Sequence, residues 1–352
     1  SSQGPKRHTM PLPHHALLYF VGAPMLLLVG SSQRARALSV GVVYTPKVLL
    51  HRAPAAHPEC PERVSGIREH LLSQDAKVKL EWVEPALEAS SEAMRRLRGV
   101  IDEVHWDEYL RELQLRCERG GGSIDHDTYL NEHSFDGALA ATACWVEAVR
   151  RTLERQEGPS FALARPPGHH ATRSQGMGFC LINHAAVAAR YALDYCDGVE
   201  RVAILDFDVH HGNGIESIAR KDPRIFYCSV HEGGIFPFTG AASDRGVHGN
   251  ILNVPVVADA NWPVYEAKLD KAVLPFLQDA KPDLVIISAG YDALDSDELA
   301  SVALRPEDYG KIMKKVVSAI GRERVVLGLE GGYNLRDTPL AVEASLQALQ
   351  AE

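Results

Sequence analysis

Four short apolar runs in this sequence each end in a dense group of polar residues, and this arrangement restricts the fold more than any other feature. The runs are FALA (161–164), RVAIL (201–205), DLVIIS (283–288) and RVVLGL (324–329). Runs that are apolar along their whole length are typical of parallel strands covered on both faces. In open α/β sheets, ligands bind at the carboxyl ends of the strands. The sequence therefore predicts an α/β fold with a mainly parallel sheet, helices on both faces, and a site at the carboxyl ends of the strands.

The segments between and before these runs carry signals for further elements. A helix should begin at Pro61 or Glu62, because proline suits the first helical turn. The other predicted elements are strands in LSVGVVY (38–44) and RIFYCSV (224–230) and helices over Ser134–Glu154 and Asn183–Tyr195. No repeat of solenoid length and no low-complexity linker is visible, so we expect a single domain over residues 38–352.

The nonapeptide DFDVHHGNG (206–214) follows one of the apolar runs and is unusually rich in metal-ligand side chains. In an extended segment Asp206, Asp208 and His210 would point the same way, because side chains alternate along a strand. Converging carboxylates and an imidazole repel or stay desolvated unless a cation lies among them. The alternative is a polar turn in which the glycines reverse the chain. The density of ligand residues favours a metal site.

The composition excludes some classes of function. A net charge of −9 and a sequence pI of about 6.0 argue against broad binding to nucleic acids through their phosphates. A mildly acidic surface suits a cationic partner such as a lysine-rich peptide. The six cysteines are scattered without a C-x-x-C motif, which fits reduced thiols better than disulfides or a thiolate zinc site.

Residues 1–37 differ from the rest of the chain. A basic start at Lys6 and Arg7, an apolar stretch over residues 16–29 and the small residues around Arg36 resemble a secretory or organellar leader. The stretch is short and interrupted by Pro24, which argues against a membrane span. Two interpretations remain open, a targeting remnant or an extension packed on the fold. The expected compartment is correspondingly either cytoplasmic or organellar.

Taken together, the motifs resemble the histone deacetylase superfamily of zinc amidohydrolases with the arginase-like fold, over roughly residues 38–350. The strings that carry the resemblance are HPECPERV, RPPGHHA, GFCLINHAAVAAR, LDFDVHHGNG, SAGYDA and LEGGYN. HPECPERV and the asparagine of HHGNG are more similar to the class II deacetylases and their bacterial and organellar relatives than to class I.

The resemblance implies a single zinc ion held by Asp208, His210 and Asp292. Two oxygen ligands and one nitrogen would leave a position open for water and substrate. A site so rich in carboxylates binds zinc less exclusively than thiolates do, so iron or cobalt could replace it. It further implies that His170 is the general base and acid, and that His169 is its electrostatic partner, paired with Asp206.

Other roles follow from the same resemblance. Tyr333 would donate a hydrogen bond to the oxyanion, and its identity as tyrosine favours an active deacetylase. Asn213 would hold His170 less strongly as imidazolium than an aspartate would, and His211 is expected to be structural. The positions that correspond to the acyl-lysine tunnel are Phe179, Phe236, Gly178 and Leu299. The positions that correspond to a potassium site are Asp206, Asp208, His210, Ser229 and Val230.

The expected activity is hydrolysis of acetyl-lysine in peptides or proteins. An alternative is a small-molecule amidohydrolase acting on acetylpolyamines or acetylated arylalkylamines. Polyamine-selective members of the family carry an acidic gatekeeper near the tunnel mouth, and the corresponding position here is at about Leu299, with Glu298 adjacent. An arginase-like dinuclear enzyme is disfavoured because Gly212 and Gly290 stand where it needs carboxylates. A non-catalytic acyl-lysine binding module is disfavoured because every expected catalytic residue is present. The oligomeric state does not follow from the sequence.

Overall fold

The sheet that organises this protein is built from strands spread along the whole chain. The computed structural model describes residues 1–4, 39–86 and 91–350. The strands are β1 (Val40–Val43), β2 (Leu80–Val83), β3 (Gly122–Ser123), β4 (Tyr129–Leu130), β5 (Ser160–Ala162), β6 (Val202–Asp206), β7 (Ile225–Glu232), β8 (Ile251–Val256), β9 (Leu284–Ala289) and β10 (Val325–Leu329). Eight of them form one parallel sheet in the order β2–β1–β5–β10–β9–β6–β7–β8. The short strands β3 and β4 pair separately and antiparallel.

Helices connect the strands and cover the sheet. The α-helices are α1 (Glu62–Leu72), α2 (Glu92–Val104), α3 (Asp107–Glu118), α4 (Ser134–Leu153), α5 (His184–Tyr195), α6 (Asn213–Ala219), α7 (Trp262–Lys268), α8 (Leu274–Ala280), α9 (Pro306–Ile320) and α10 (Thr338–Ala348). Single turns of 3₁₀-helix lie at Pro46–Leu49 and Arg322–Arg324, and a π-helical turn lies at Leu269–Val273.

The helices form two layers. In one layer, α4 packs against β1, β5 and β10, and α5 packs against β6 and β9. In the other, α10 packs against both α1 and α9. Every residue of β1, β5, β6, β9 and β10 is buried, as expected for strands covered on both faces. This confirms the predicted α/β architecture with a mainly parallel sheet.

Most of the predicted elements are confirmed, with two informative differences. The strand expected to run through residue 208 ends at Asp206, and the chain then bends, so the side chains of Asp208 and His210 do not continue a strand face. The sequence reading also missed β2 and β8. Both lie at the edges of the sheet. The residues of β2 are only partly buried, and β8 contains Pro255, so the apolar strand pattern is weaker in each.

Residues 5–38, which include most of the predicted leader or extension, lie outside the described residues. Among the residues that are described, no helix is both long and apolar enough to cross a membrane. The loops that leave the carboxyl ends of β5, β6, β9 and β10 meet at one edge of the sheet, because these strands are adjacent and parallel. That edge carries the candidate site.

Candidate active site

The three predicted metal ligands converge at the carboxyl ends of β6 and β9. One ligand atom from each of Asp208, His210 and Asp292 lies within 4.8 Å of the other two. His210 Nδ1 lies 3.2 Å from an oxygen of each carboxylate. Both carboxylates are fully buried, and His210 is only slightly exposed. The bend after β6 places the group, since the backbone amide of His210 donates to Asp208 (2.9 Å) and that of Val209 donates to Asp292 (2.9 Å).

Two glycines give these carboxylates the space they occupy. A Cβ atom at Gly290 would collide with the Asp208 carboxylate, and one at Gly331 would collide with both Asp208 and Asp292. The amide of Gly331 instead donates to Asp208 Oδ2 at 2.8 Å. The absence of a side chain at both positions therefore allows the backbone to approach the cluster closely.

The cluster has a surplus of buried negative charge. Burial opposes a charge on His210, but its hydrogen bonds with Asp208 and Asp292 outweigh that effect and hold the pKa of the imidazole well above its ordinary value. Burial and the neighbouring Asp208 raise the pKa of Asp292 to about 7. Each shift adds a proton, and so a positive charge, to the cluster. A divalent cation would supply the same compensation, and two carboxylates with one imidazole suit zinc with an open position.

His169 is held between two carboxylates. Its Nδ1 lies 3.2 Å from Asp206 Oδ2 and its Nε2 lies 3.7 Å from Asp208. Burial opposes its charge, but Asp208 and Asp206 outweigh the burial and raise the pKa of His169 to about 10. Asp206 also accepts from the Tyr227 hydroxyl (3.0 Å) and the Asp208 amide (3.2 Å). The structure thus places Asp206 beside the metal-ligand cluster and in contact with His169.

His170 differs from its neighbour in every electrostatic respect, although their ring centroids are 4.0 Å apart. Burial and the positive charges of His169 and His210 hold the pKa of His170 well below its ordinary value. Its Nδ1 lies 2.8 Å from Asn213 Oδ1, while the Asn213 amide nitrogen donates to the Met177 sulfur. Since an amide oxygen only accepts, Nδ1 carries the proton and Nε2 keeps a lone pair. His170 is therefore a neutral imidazole with a free basic nitrogen.

Tyr333 follows β10 and lies over a buried arginine. Arg63 places its guanidinium 4.6 Å from the centre of the tyrosine ring and donates to the carbonyl of Gly332 at 2.7 Å. The Tyr333 amide donates to Asp297 Oδ2 at 2.7 Å. Burial raises the pKa of Tyr333 well above its ordinary value despite the opposing charge of Arg63. The hydroxyl consequently stays protonated and able to donate.

The aromatic side chains predicted to line a tunnel lie on either side of this group. Phe179 makes an edge contact with Tyr333, with ring centroids 5.7 Å apart. Phe236 makes similar contacts with His170 at 5.0 Å and His210 at 6.4 Å. The backbone of Gly178 passes close to two of these rings, since a Cβ atom there would lie 2.6 Å from His170 and 2.8 Å from Phe236. The two phenylalanines and Gly178 thus border the catalytic candidates.

The remaining predicted residues are the tunnel residue Leu299 and the potassium-site residues Ser229 and Val230. Leu299 is 38% exposed, and Glu298 beside it is also exposed, on the loop that follows β9. Ser229 is the register partner of Asp206 on β7, and Val230 follows it. The Ser229 hydroxyl is paired with His231 Nδ1 at 2.8 Å. Ser229 and Asp206 are therefore neighbours on adjacent strands.

Several supporting residues received no role from the sequence. Glu330 accepts from the amides of Gly168 (2.6 Å) and His169 (3.2 Å), and so fixes the loop of the histidine pair. Glu59 bridges two buried arginines, Arg63 at 3.1 Å and Arg165 at 2.5 Å. Glu59, Arg63 and Glu330 all stand inside the strings HPECPERV and LEGGYN. Glu330 directly follows the buried apolar strand β10, which is a signal the sequence offers, whereas Glu59 and Arg63 lie in a polar segment without such a signal.

Comparison with known proteins identifies the family. Residues 57–349 match the histone deacetylase domain. The chain is 45% identical over 310 residues to the uncharacterized protein slr0245 of Synechocystis, covering 88% of this chain and 99% of that protein. The crystal structure of the HDA15 HD domain superposes with a TM-score of 0.80 at 31% identity, covering 89% and 91% of the two chains.

The crystal structure of an acetylpolyamine aminohydrolase from Burkholderia pseudomallei has a TM-score of 0.77 at 23% identity, covering 89% and 99%, and so shares the fold. The arrangement at the carboxyl edge of the sheet, the arginase/deacetylase-type fold and the domain match agree with one another. The chain belongs to the histone deacetylase family.

Proposed function

We propose that this protein is a zinc-dependent deacetylase that hydrolyses the amide bond of N-acetylated amines, with acetyl-lysine in peptides and proteins as its main substrate. One observation carries the proposal. His170, neutral and with a free lone pair on Nε2, and the protonated Tyr333 lie at the same sheet edge as the anionic group formed by Asp208, His210 and Asp292. A base, a hydrogen-bond donor and a cation site are the components that amide hydrolysis needs.

Asp208, His210 and Asp292 are the residues that would hold the metal. When bound there, zinc would act as a Lewis acid toward the acyl oxygen and the attacking water. Backbone amides orient the two carboxylates of this site: the Val209 amide donates to Asp292, and the Gly331 amide donates to Asp208. Such outer contacts orient ligands and tune the site.

His170 moves the protons. Its Nε2 accepts a proton from the water as the water oxygen bonds to the acyl carbon. The same nitrogen then returns the proton to the amine nitrogen as the C–N bond breaks, giving acetic acid and the amine; the acid then transfers its proton to the amine, which leaves acetate and the ammonium form. The Asn213 contact keeps Nδ1 protonated throughout. His169, held by Asp206, keeps a positive charge beside this step and so discourages His170 from staying protonated.

Tyr333 stabilises the charge that develops on the acyl oxygen. Its hydroxyl is a donor, and burial in a low-dielectric environment strengthens such a hydrogen bond. Phe179 and Phe236 would flank the aliphatic part of the acyl-lysine, which is the uncharged portion of that side chain. Leu299 would lie at the entrance. An apolar residue at that position supports acetyl-lysine over a cationic polyamine.

The metal site is proposed to hold one ion. A dinuclear site would need carboxylates at Gly212 and Gly290, and neither position has room for one. A Cβ atom at Gly212 would collide with Asp206 and approach Tyr227 to 2.6 Å, and one at Gly290 would collide with Asp208. The steric argument and the ligand count therefore agree.

Two further proposals accompany the function. A potassium ion is proposed beneath the metal site, bound by Asp206, Asp208, His210, Ser229 and Val230. The support for it is the register of Ser229 against Asp206. We also propose that residues 38–352 form the catalytic domain and that residues 1–37 form an extension or targeting segment.

A competition assay tests the substrate class. The purified protein is given an acetyl-lysine peptide, an acetylpolyamine and an acetylated arylalkylamine at equal concentration, and the free amine of each is quantified. We expect the peptide to be hydrolysed with the highest kcat/KM. A higher kcat/KM for the polyamine or the arylalkylamine would contradict acetyl-lysine as the main substrate. Binding of all three without release of acetate would contradict the enzyme and favour a reader.

A further inference from the structure

Resting on the function proposed above, we propose that Asp297 is a positioning residue that sets the location of the oxyanion donor Tyr333. Asp297 lies on the loop after β9 and Tyr333 lies on the loop after β10, 36 residues apart in sequence. Both oxygens of the Asp297 carboxylate accept from backbone amides. The carboxylate acts on Tyr333 through the backbone.

The contacts of the Asp297 carboxylate join the two loops. Oδ2 accepts from the amide of Tyr333 at 2.7 Å and from that of Asn334 at 3.2 Å. Oδ1 accepts from the amide of Leu299 at 3.1 Å. The residue is 7% exposed, so these bonds form away from bulk water, where hydrogen bonds to a charged acceptor are strong.

A second set of hydrogen bonds joins the same two loops, again with the donor on the β10 loop and the acceptor on the β9 loop. The Asn334 side chain donates to the carbonyl of Ser296 at 2.7 Å. Its oxygen accepts from the amides of Arg336 at 3.1 Å and Asp337 at 2.9 Å, at the entry to α10. The segment on either side of Tyr333 is therefore tied both to the β9 loop and to the following helix.

The Tyr333 ring is restrained separately. Arg63 lies 4.6 Å from the ring centroid, and Phe179 lies 5.7 Å away at 82°. These contacts restrict where the ring can lie, but the backbone sets the position of the Tyr333 Cα atom, from which the side chain extends. Asp297 holds that backbone through two amides. Loss of the carboxylate would let the hydroxyl drift, and a displacement of about 1 Å at a catalytic group costs on the order of 100-fold in rate.

The experiment is a double-mutant cycle between Asp297→Ala and Tyr333→Phe, with metal content and thermal melting recorded for every variant. We expect Asp297→Ala to lower kcat by about 10- to 100-fold, with KM changed less than about threefold, because the lost alignment acts in the transition state. In the Tyr333→Phe background the same change should lower kcat by less than about threefold, since no hydroxyl remains to misplace.

Two companion variants sharpen the cycle. Asp297→Asn keeps an amide oxygen for the Tyr333 amide, so it should recover kcat to within about threefold of wild type. Asp295→Ala removes an exposed carboxylate from the same loop and should leave kcat unchanged. If Asp297→Ala does not fold, the cycle is run with Asp297→Glu, which keeps the charge but displaces the carboxylate by one methylene, and its loss of kcat should likewise vanish in the Tyr333→Phe background.

The outcomes separate the two proposals. An equal loss of kcat from the Asp297 variant in both backgrounds would overturn the positioning role, and so would a wild-type kcat for Asp297→Ala. A Tyr333→Phe enzyme that turns over at the wild-type rate would instead overturn the oxyanion role of Tyr333, which belongs to the proposed function.

Discussion

Replacing Asn213 by aspartate should move the acidic limb of the pH–rate profile to higher pH. His170 Nδ1 lies 2.8 Å from Asn213 Oδ1, and the His170 ring lies close to the rings of His169 and His210. An aspartate at this position would keep the shape and the acceptor but add a negative charge next to the imidazole. The charged form of His170 would be stabilised relative to the neutral form, and its pKa would rise.

The magnitude follows from the distance. Two unit charges about 4 Å apart, a reasonable separation for the centres of a carboxylate and an imidazolium in this contact, interact with about 4 kcal/mol at an effective dielectric constant of 20. That energy equals about three pKa units, and the neighbouring charges reduce it, so we expect a shift of about one to three units. A base must be neutral to accept a proton, so activity that needs neutral His170 is lost below the raised pKa. The limb therefore moves upward in pH.

The assay is kcat/KM for an acetyl-lysine peptide between pH 5 and 10, because this ratio reports the ionisation of the free enzyme. Asn213→Leu is the matched control, since it has nearly the same size but neither the charge nor the acceptor. Its activity should fall without an upward shift of the limb. A limb that stays in place in a folded, metal-loaded Asn213→Asp enzyme would refute the assignment of His170 as the base.

Other substitutions test the remaining roles. The wild-type protein should carry one divalent metal per chain by elemental analysis, and Asp208→Ala or Asp292→Ala should lose most of it; two metals per chain would contradict the mononuclear site. Tyr333→Phe should lower kcat by about 10²–10³-fold with unchanged zinc content, and loss of metal would instead mark Tyr333 as structural. His170→Ala should lower turnover by about 10²–10⁴-fold while a hydroxamate still binds, whereas His169→Ala should be milder. The reverse order would show that the two histidines had been assigned the wrong way round.

The sequence was most informative where chemistry and strand ends coincide. The apolar runs before Asp206, Asp292 and Glu330 predicted buried parallel strands, because such runs are short and lack alternation. The polar groups that follow these runs were expected at one edge of the sheet, because parallel strands end at the same edge. The reasoning was incomplete for Asp208 and His210, which were placed on a continued strand. Their convergence depends instead on a bend in which the His210 amide donates to Asp208 and the Val209 amide donates to Asp292.

The supporting contacts were beyond sequence reasoning because they join distant residues. Glu330 lies 162 positions from the Gly168 amide it accepts from, and Arg63 lies 269 positions from Gly332. No local spacing encodes such a pair. Asp297 likewise reads as a polar loop residue until its burial is known. Charged residues in buried positions were the signal, and burial emerges only from the packed fold.

The position of β10 has a consequence for how the protein is made. It follows the other nine strands in the described chain, yet it lies between β5 and β9 and pairs with both. Before residues 325–329 leave the ribosome, the sheet can exist only as two separate parts, β2–β1–β5 and β9–β6–β7–β8. Asp208, His210 and Asp292 belong to the second part, whereas His170 follows the first. The proposed metal ligands of a nascent chain can therefore come together before the proposed base lies beside them, and the complete candidate site requires that β10 join the two parts of the sheet.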